Sequence, residues 1–223
     1  MKAITAALAL LMLAGCATGA SPVEKRRAAF LGQAAEPSAV IAAELAFARE
    51  AQERGQWTAF RDTAADGAIM FVPDKVDAKT WLRGRADPPQ AVRWEPHEVW
   101  SSCDGTLAIT RGAAQWPDGR HGDFLTIWER QRGGGYKWIV DVGQFRAEPL
   151  PAPEFVQTHV ATCRPAPDPA IPSAEVPVVA QGRSADNTLR YAIVQPSNGV
   201  VVRAGLWDGT THKTALTATF VME

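Results

Sequence analysis

The sequence predicts an α+β protein, and three observations carry that prediction. Apolar residues recur at helical spacing after Pro37-Ser38, four strand-like runs with tight turns between them fill residues 92–145, and three more strand-like runs close the chain beyond a proline-rich stretch.

In the first helix Ser38 is placed to cap, Ile41, Leu45 and Ala48 form the apolar stripe, and Glu44, Arg49, Glu50 and Glu53 are read as the outer face, with Gly55 ending it. A second short helix runs through Trp57, Phe60, Arg61 and Ala64. Residues 68–72 then read as a buried strand stopped by Pro73, and Asp77 caps a third helix through Trp81-Leu82 that Gly84 terminates. The four strands expected next are 92–100, 107–116, 123–132 and 136–145. Cys103-Asp104-Gly105, Pro117-Asp118-Gly119 and Gly133-Gly134-Gly135 supply the turn chemistry of antiparallel hairpins between them. Proline recurs too often in 147–177 for regular structure, although 155–160 reads as a short strand. Residues 189–194, 200–207 and 213–221 complete a small C-terminal sheet.

The start of the chain is of another kind. Met1-Lys2 followed by an apolar run to Leu13-Ala14-Gly15-Cys16 is the pattern of a bacterial lipoprotein signal, with Cys16 as the lipidated residue. Its apolar core of about a dozen residues is too short for hydrocarbon, which needs about twenty. The expected protein is therefore lipid-anchored in the bacterial cell envelope, facing the periplasm at the outer membrane. The expected organisation is a signal over 1–15, a flexible tether over 16–37, a main domain over 38–146, a linker over 147–177 and a C-terminal meander over 178–223.

With 23 Lys and Arg against 24 Asp and Glu, scattered singly, there is no basic stripe for phosphates, which argues against nucleic acid as a partner. Once Cys16 is acylated, Cys103 and Cys163 remain, and in an oxidising compartment they are expected to form a disulfide, the alternative being two buried free thiols. No Gly-rich phosphate cradle, no nucleophile elbow and no paired histidines are present, so no cofactor and no metal are expected. His121, His159 and His212 stand isolated.

The segment Ala64-Ala65-Asp66-Gly67-Ala68-Ile69-Met70-Phe71-Val72-Pro73, then Trp81-Leu82-Arg83-Gly84, then Tyr136-Lys137-Trp138-Ile139-Val140-Asp141-Val142-Gly143, resembles the SnoaL-like and ketosteroid-isomerase-like branch of the nuclear transport factor 2-like superfamily. The resemblance covers about 40–145. It implies a cone-shaped, curved antiparallel sheet packed on the N-terminal helices, here with an added C-terminal β-meander, and a conical pocket walled by alternate strand positions. Strand alternation puts Val92, Trp94, Glu98 and Trp100 on one side of the first meander strand and Arg93, Glu95, His97 and Val99 on the other. Candidate pocket residues are Trp57, Phe60, Trp81, Trp94, Trp100, Arg111, Asp123 and Tyr136, with Asp141 and His97 as candidate catalytic groups. Related isomerases and cyclases use a carboxylate in an apolar cavity as the proton-transferring base, the role that Asp141 would take, set against a merely structural carboxylate paired with Arg111 or hydrogen-bonded at a strand end.

The favoured expectation is a non-catalytic or accessory protein binding a small, largely apolar molecule. The two alternatives are an isomerase, cyclase or hydrolase-type enzyme with Asp141 as base and His97, Arg111 or Tyr136 orienting or polarising substrate, and a homodimeric envelope structural or assembly protein pairing through the open sheet face.

Overall fold

The computed structural model describes residues 35–168 and 177–222. The expected lipoprotein signal with Cys16 and most of the expected tether lie outside the described residues. Among those described, no helix is long and apolar enough to cross a membrane.

Helix α1, Pro37–Arg54, begins with Pro37 at its first position, where a missing N–H costs nothing, and no side chain caps it, so Ser38 is inside the helix. Its buried residues are Val40, Glu44, Phe47, Ala48 and Ala51, whereas Leu45 is 48% exposed. The stripe is thus rotated from the expected one, and Glu44 is fully buried rather than on the outer face. Helix α2, Gln56–Thr63, follows directly and feeds strand β1, Ala64–Phe71, which starts earlier than the sequence suggested. Strand β2, Lys75–Asp77, and helix α3, Ala78–Leu82, come next, and the Asp77 carboxylate accepts from the Thr80 N–H at 2.7 Å, as a capping residue should. The meander is β3 Arg93–Ser101, β4 Leu107–Gln115, β5 His121–Arg130 and β6 Tyr136–Arg146, followed by the short edge strand β7, Gln157–Val160.

These strands form one curved sheet in the order β2-β1-β6-β5-β4-β3-β7. Strand β1 runs parallel to β6, and the meander pairs are antiparallel. One face packs Val99, Ala108, Met70, Trp128 and Trp138 against the helical residues Val40, Phe47, Ala51, Phe60 and Leu82. The other packs Trp100, Ile109, Leu125, Ile127, Val140 and Val142 against a second, four-stranded sheet.

That second sheet is ordered β11-β10-β9-β8, from β8 Val178–Arg183, β9 Leu189–Val194, β10 Gly199–Trp207 and β11 His212–Val221. It has four strands, not three, because β8 precedes the expected ones. It lies on the face expected to be open for pairing with a second copy. Cys103 and Cys163 are joined as a disulfide with their Cα atoms 5.2 Å apart.

The two sheets also meet through a pair of matching turns. In the β3–β4 turn the Asp104 carboxylate accepts from the Ser102 hydroxyl and from the Thr106 N–H and hydroxyl. In the β8–β9 turn Asp186 does the same with Ser184 and Thr188. Gly105 and Asn187 hold the same left-handed position, at φ 66° and 61°. Each turn then grips the other: Asp104 N–H donates to Asp186 and Asp186 N–H to Asp104, both at 2.9 Å. Cys103 N–H donates to the Thr188 hydroxyl and Ala185 N–H to the Thr106 hydroxyl, again at 2.9 Å.

Candidate functional site

On the helix-covered face, Thr110, Thr126 and Asp141 stand side by side in register across β4, β5 and β6. Helix α1 lowers Glu44 onto this row. Its carboxyl accepts from the Trp94 indole N–H at 2.7 Å, the Thr110 hydroxyl at 2.6 Å and the Trp128 indole N–H at 3.0 Å. Three donors compensate a buried charge that would otherwise be expelled from the core. Burial raises the proton affinity of Glu44, and those bonds from Thr110, Trp94 and Trp128 oppose the rise.

Asp141 is less well served. One of its oxygens accepts from the Thr126 hydroxyl at 3.0 Å, and none of the described residues donates to the other. Desolvation is the main cause that pushes its pKa up to about 7, repulsion from Glu44 adds to it, and the Thr126 bond opposes. Yet Asp141 keeps some accessible surface. A carboxyl that touches solvent-sized space while protein surrounds it lines a recess rather than the outer surface. The next position on the same side of β6 is Gly143, paired with Phe124 of β5. A Cβ there would meet the Asp123 carbonyl oxygen at 3.5 Å and the Phe124 Cβ at 4.0 Å, ordinary van der Waals contact, so a methyl group would fit beside Asp141.

The three tryptophans that the strands bring to this face have no spare indole donor. Trp94 and Trp128 are bonded to Glu44, and Trp138 donates to the Thr63 hydroxyl at 3.0 Å. Phe47 packs edge-on against Phe60, Trp94 and Trp128, while Phe60 also meets Trp57 and Trp138. Trp81 stands against Trp57 with the Arg85 guanidinium over its ring, so Trp57, Phe60 and Trp81 form an aromatic wall on the helical side.

The remaining sequence candidates fall elsewhere. A bulge between Pro96 and Glu98 reverses the alternation of β3. Trp94 therefore faces the helices while Trp100, expected on the same side, packs on the C-terminal sheet and stacks on His159. His97 sits in the bulge itself, nine-tenths buried, its Nε2 without a hydrogen bond and 3.6 Å from Glu95. Arg111 and Asp123 lie on the face opposite Asp141, joined at 3.0 Å, and Gln144 ties Asp123 to the β11 backbone. Arg111 thus pairs with Asp123 and not with Asp141. Tyr136 donates its hydroxyl to the Gly105 carbonyl at 2.7 Å. No group of three or more metal-ligating side chains occurs among the described residues. An open groove of about 470 Å³ between the end of α1, residues 88–93 and the β4–β5 turn contains none of the expected site residues.

Glu44, Thr110 and Thr126 were not among the sequence candidates. The available signal was a glutamate in the middle of the stripe Val40, Phe47, Ala48 and Ala51, which are positions that share one helix face.

The helix-covered, curved sheet with an added C-terminal meander is the α+β architecture that the resemblance implied. No protein-family model matches the chain, and no curated protein matches it. Among solved structures, a ketosteroid-isomerase-like protein from Parabacteroides distasonis is similar at 14% identity over 52% of this chain and 97% of its own, with a TM-score of 0.40. A nuclear transport factor 2-like protein of unknown function from Methylobacillus flagellatus is similar at 15% identity over 49% and 91%, TM-score 0.37. Another from Shewanella baltica is similar at 10% identity over 58% and 100%, TM-score 0.36.

Proposed function

We propose that the protein binds a small, largely apolar molecule in the recess beside Asp141, in a non-catalytic or accessory role, while held to the bacterial envelope through Cys16 and facing the periplasm. The observation that carries the binding role is the Asp141 carboxyl, desolvated, with one oxygen unpartnered among the described residues and some accessible surface left to the residue. Native mass spectrometry of gently purified protein, with displacement of an environment-sensitive apolar dye, tests it. Wild type is expected to take up the dye and Gly143→Leu, which adds a bulky side chain on the face that carries Asp141, to lose at least ten-fold in affinity. Equal dye binding by both proteins would remove the reading. For the anchor, Cys16→Ala is expected to move the protein from the membrane pellet to the soluble fraction.

The enzymatic alternative has one observation in its favour, an Asp141 pKa of about 7, suited to a general base at neutral pH. It lacks the partners expected for it. Arg111 is on the opposite face, Tyr136 is spent on a backbone carbonyl, and His97 is packed into a bulge. Binding therefore fits better than catalysis.

A further inference from the structure

Each polar group around the recess can be sorted by whether the protein already uses it. On the strands the donors are the indole N–H groups of Trp94, Trp128 and Trp138 and the hydroxyls of Thr110 and Thr126. Trp94, Trp128 and Thr110 serve Glu44, Trp138 serves Thr63, and Thr126 serves Asp141. None of these five is left to meet a carbonyl, a carboxylate or a phosphate. The acceptor side is different, because the second oxygen of Asp141 is bonded to no described residue and Asp141 keeps accessible surface.

The charges are equally one-sided. Two carboxyls share this face, coupled across the Thr110–Thr126 pair, and neither forms an ion pair with a lysine, arginine or histidine among the described residues. The nearest acid with cationic partners, Asp123, takes Arg111 and Arg146 on the other side of the sheet. Trp94, its N–H committed to Glu44, is only half-buried and still offers a ring face, and such faces attract cations.

We propose that the recess takes a small amine in its ammonium form: one positive charge that donates to the free Asp141 oxygen, carried on an apolar body that lies along the indole and phenyl rings. This deepens the binding reading above by naming the chemistry of the ligand, and it rests on that reading. A neutral molecule of the same shape cannot offset the charge of the ionised carboxylate, which is how the site discriminates.

Isothermal titration of the full chain with 2-phenylethylamine and with its near-isosteric alcohol, 2-phenylethanol, tests this. The amine is expected to bind at least ten-fold tighter than the alcohol, and Asp141→Asn to bring the ratio close to one. In wild type, carbon-13 observation of the Asp141 carboxyl at pH 7 is expected to show loss of its proton when the amine is added and no such change with the alcohol. That readout does not depend on the variant folding. Equal affinities in wild type, or an amine preference that survives Asp141→Asn, overturns the ammonium assignment while leaving an apolar pocket in place. If neither compound binds and the apolar dye does not either, both readings fall together.

Discussion

In the unfolded chain Asp141 would release its proton near pH 3.9, whereas in the fold it does so at about 7. The folded state therefore holds that proton more tightly. The stability that the protonated carboxyl contributes is fully present below about pH 4 and is lost as pH rises toward 7. Across a gap of about three pH units the linkage amounts to an upper bound of about 4 kcal/mol. Asn at this position keeps the acceptor for Thr126 and carries no charge. Asp141→Asn is accordingly expected to stabilise the protein by about 2 kcal/mol at pH 8 and to change it by less than about 0.5 kcal/mol at pH 4, read from urea unfolding midpoints. A variant that is less stable at pH 8 would mean the carboxyl is well solvated. Glu44 acts on the same titration, since its charge is the second cause of the raised value. Glu44→Gln is expected to lower the pKa of Asp141 below 7, measured by carbon-13 NMR, while the amide oxygen still accepts from an indole.

Between elements, the clearest construction is the mutual grip of the β3–β4 and β8–β9 turns. Ser102-Cys103-Asp104-Gly105-Thr106-Leu107 and Ser184-Ala185-Asp186-Asn187-Thr188-Leu189 repeat one pattern. Each aspartate spends one oxygen on its own turn and the other on its counterpart's N–H. Asp104→Ala and Asp186→Ala should each cost about 2–3 kcal/mol, and because they break one shared contact, the double variant should cost about 1–2 kcal/mol less than their sum. Strict additivity in chemical denaturation would show that the turns act separately. The same pair shows what was legible in the sequence. Asp-Gly turns and strand periods are local, so the meander and its turn at Asp104-Gly105 could be read directly. The partner of that turn lies about eighty residues away, and only the repeated pattern hinted at it. Bulges beside His97 and at Ile139 depend on how neighbouring strands bend, so the face of Trp100 could not be assigned by alternation. Glu44 looked like an outer-face charge because the Trp94, Thr110 and Trp128 donors that justify its burial come from three different strands. Asp141 was legible because apolar residues flank it on both sides along β6.

For the whole molecule, the consequence is in how the chain covers its own sheet. Homodimerisation through the face opposite the helices was a natural expectation, but that face is occupied by Leu189, Tyr191, Ile193, Val200, Val202, Leu216 and Phe220 of the second sheet. Each such side chain contributes about 1.5–3 kcal/mol on burial, so the seven together are on the order of 10–20 kcal/mol before entropy is subtracted. The reciprocal turns add hydrogen bonds at one end, and the disulfide fastens the strand entering the linker to the β3–β4 turn. The order β6-β5-β4-β3 is met by β11-β10-β9-β8, a meander facing a meander, joined through turns of one design. The second sheet thus stands where a second subunit would stand. A second copy could reach this face only by displacing a sheet tethered to it in the same chain, and a tethered segment competes at an effective concentration in the millimolar range. The full chain is therefore expected to be a monomer at micromolar concentration by light scattering, both at low and at high salt, because the covering is apolar. It should stay monomeric when the disulfide is reduced, with a loss of about 4 kcal/mol in unfolding free energy on chain-entropy grounds. A stable dimer that forms while the β9 and β10 amides remain protected from exchange would place the subunit contact elsewhere, and a dimer that exposes them would show that the C-terminal sheet is not the resident partner of this face.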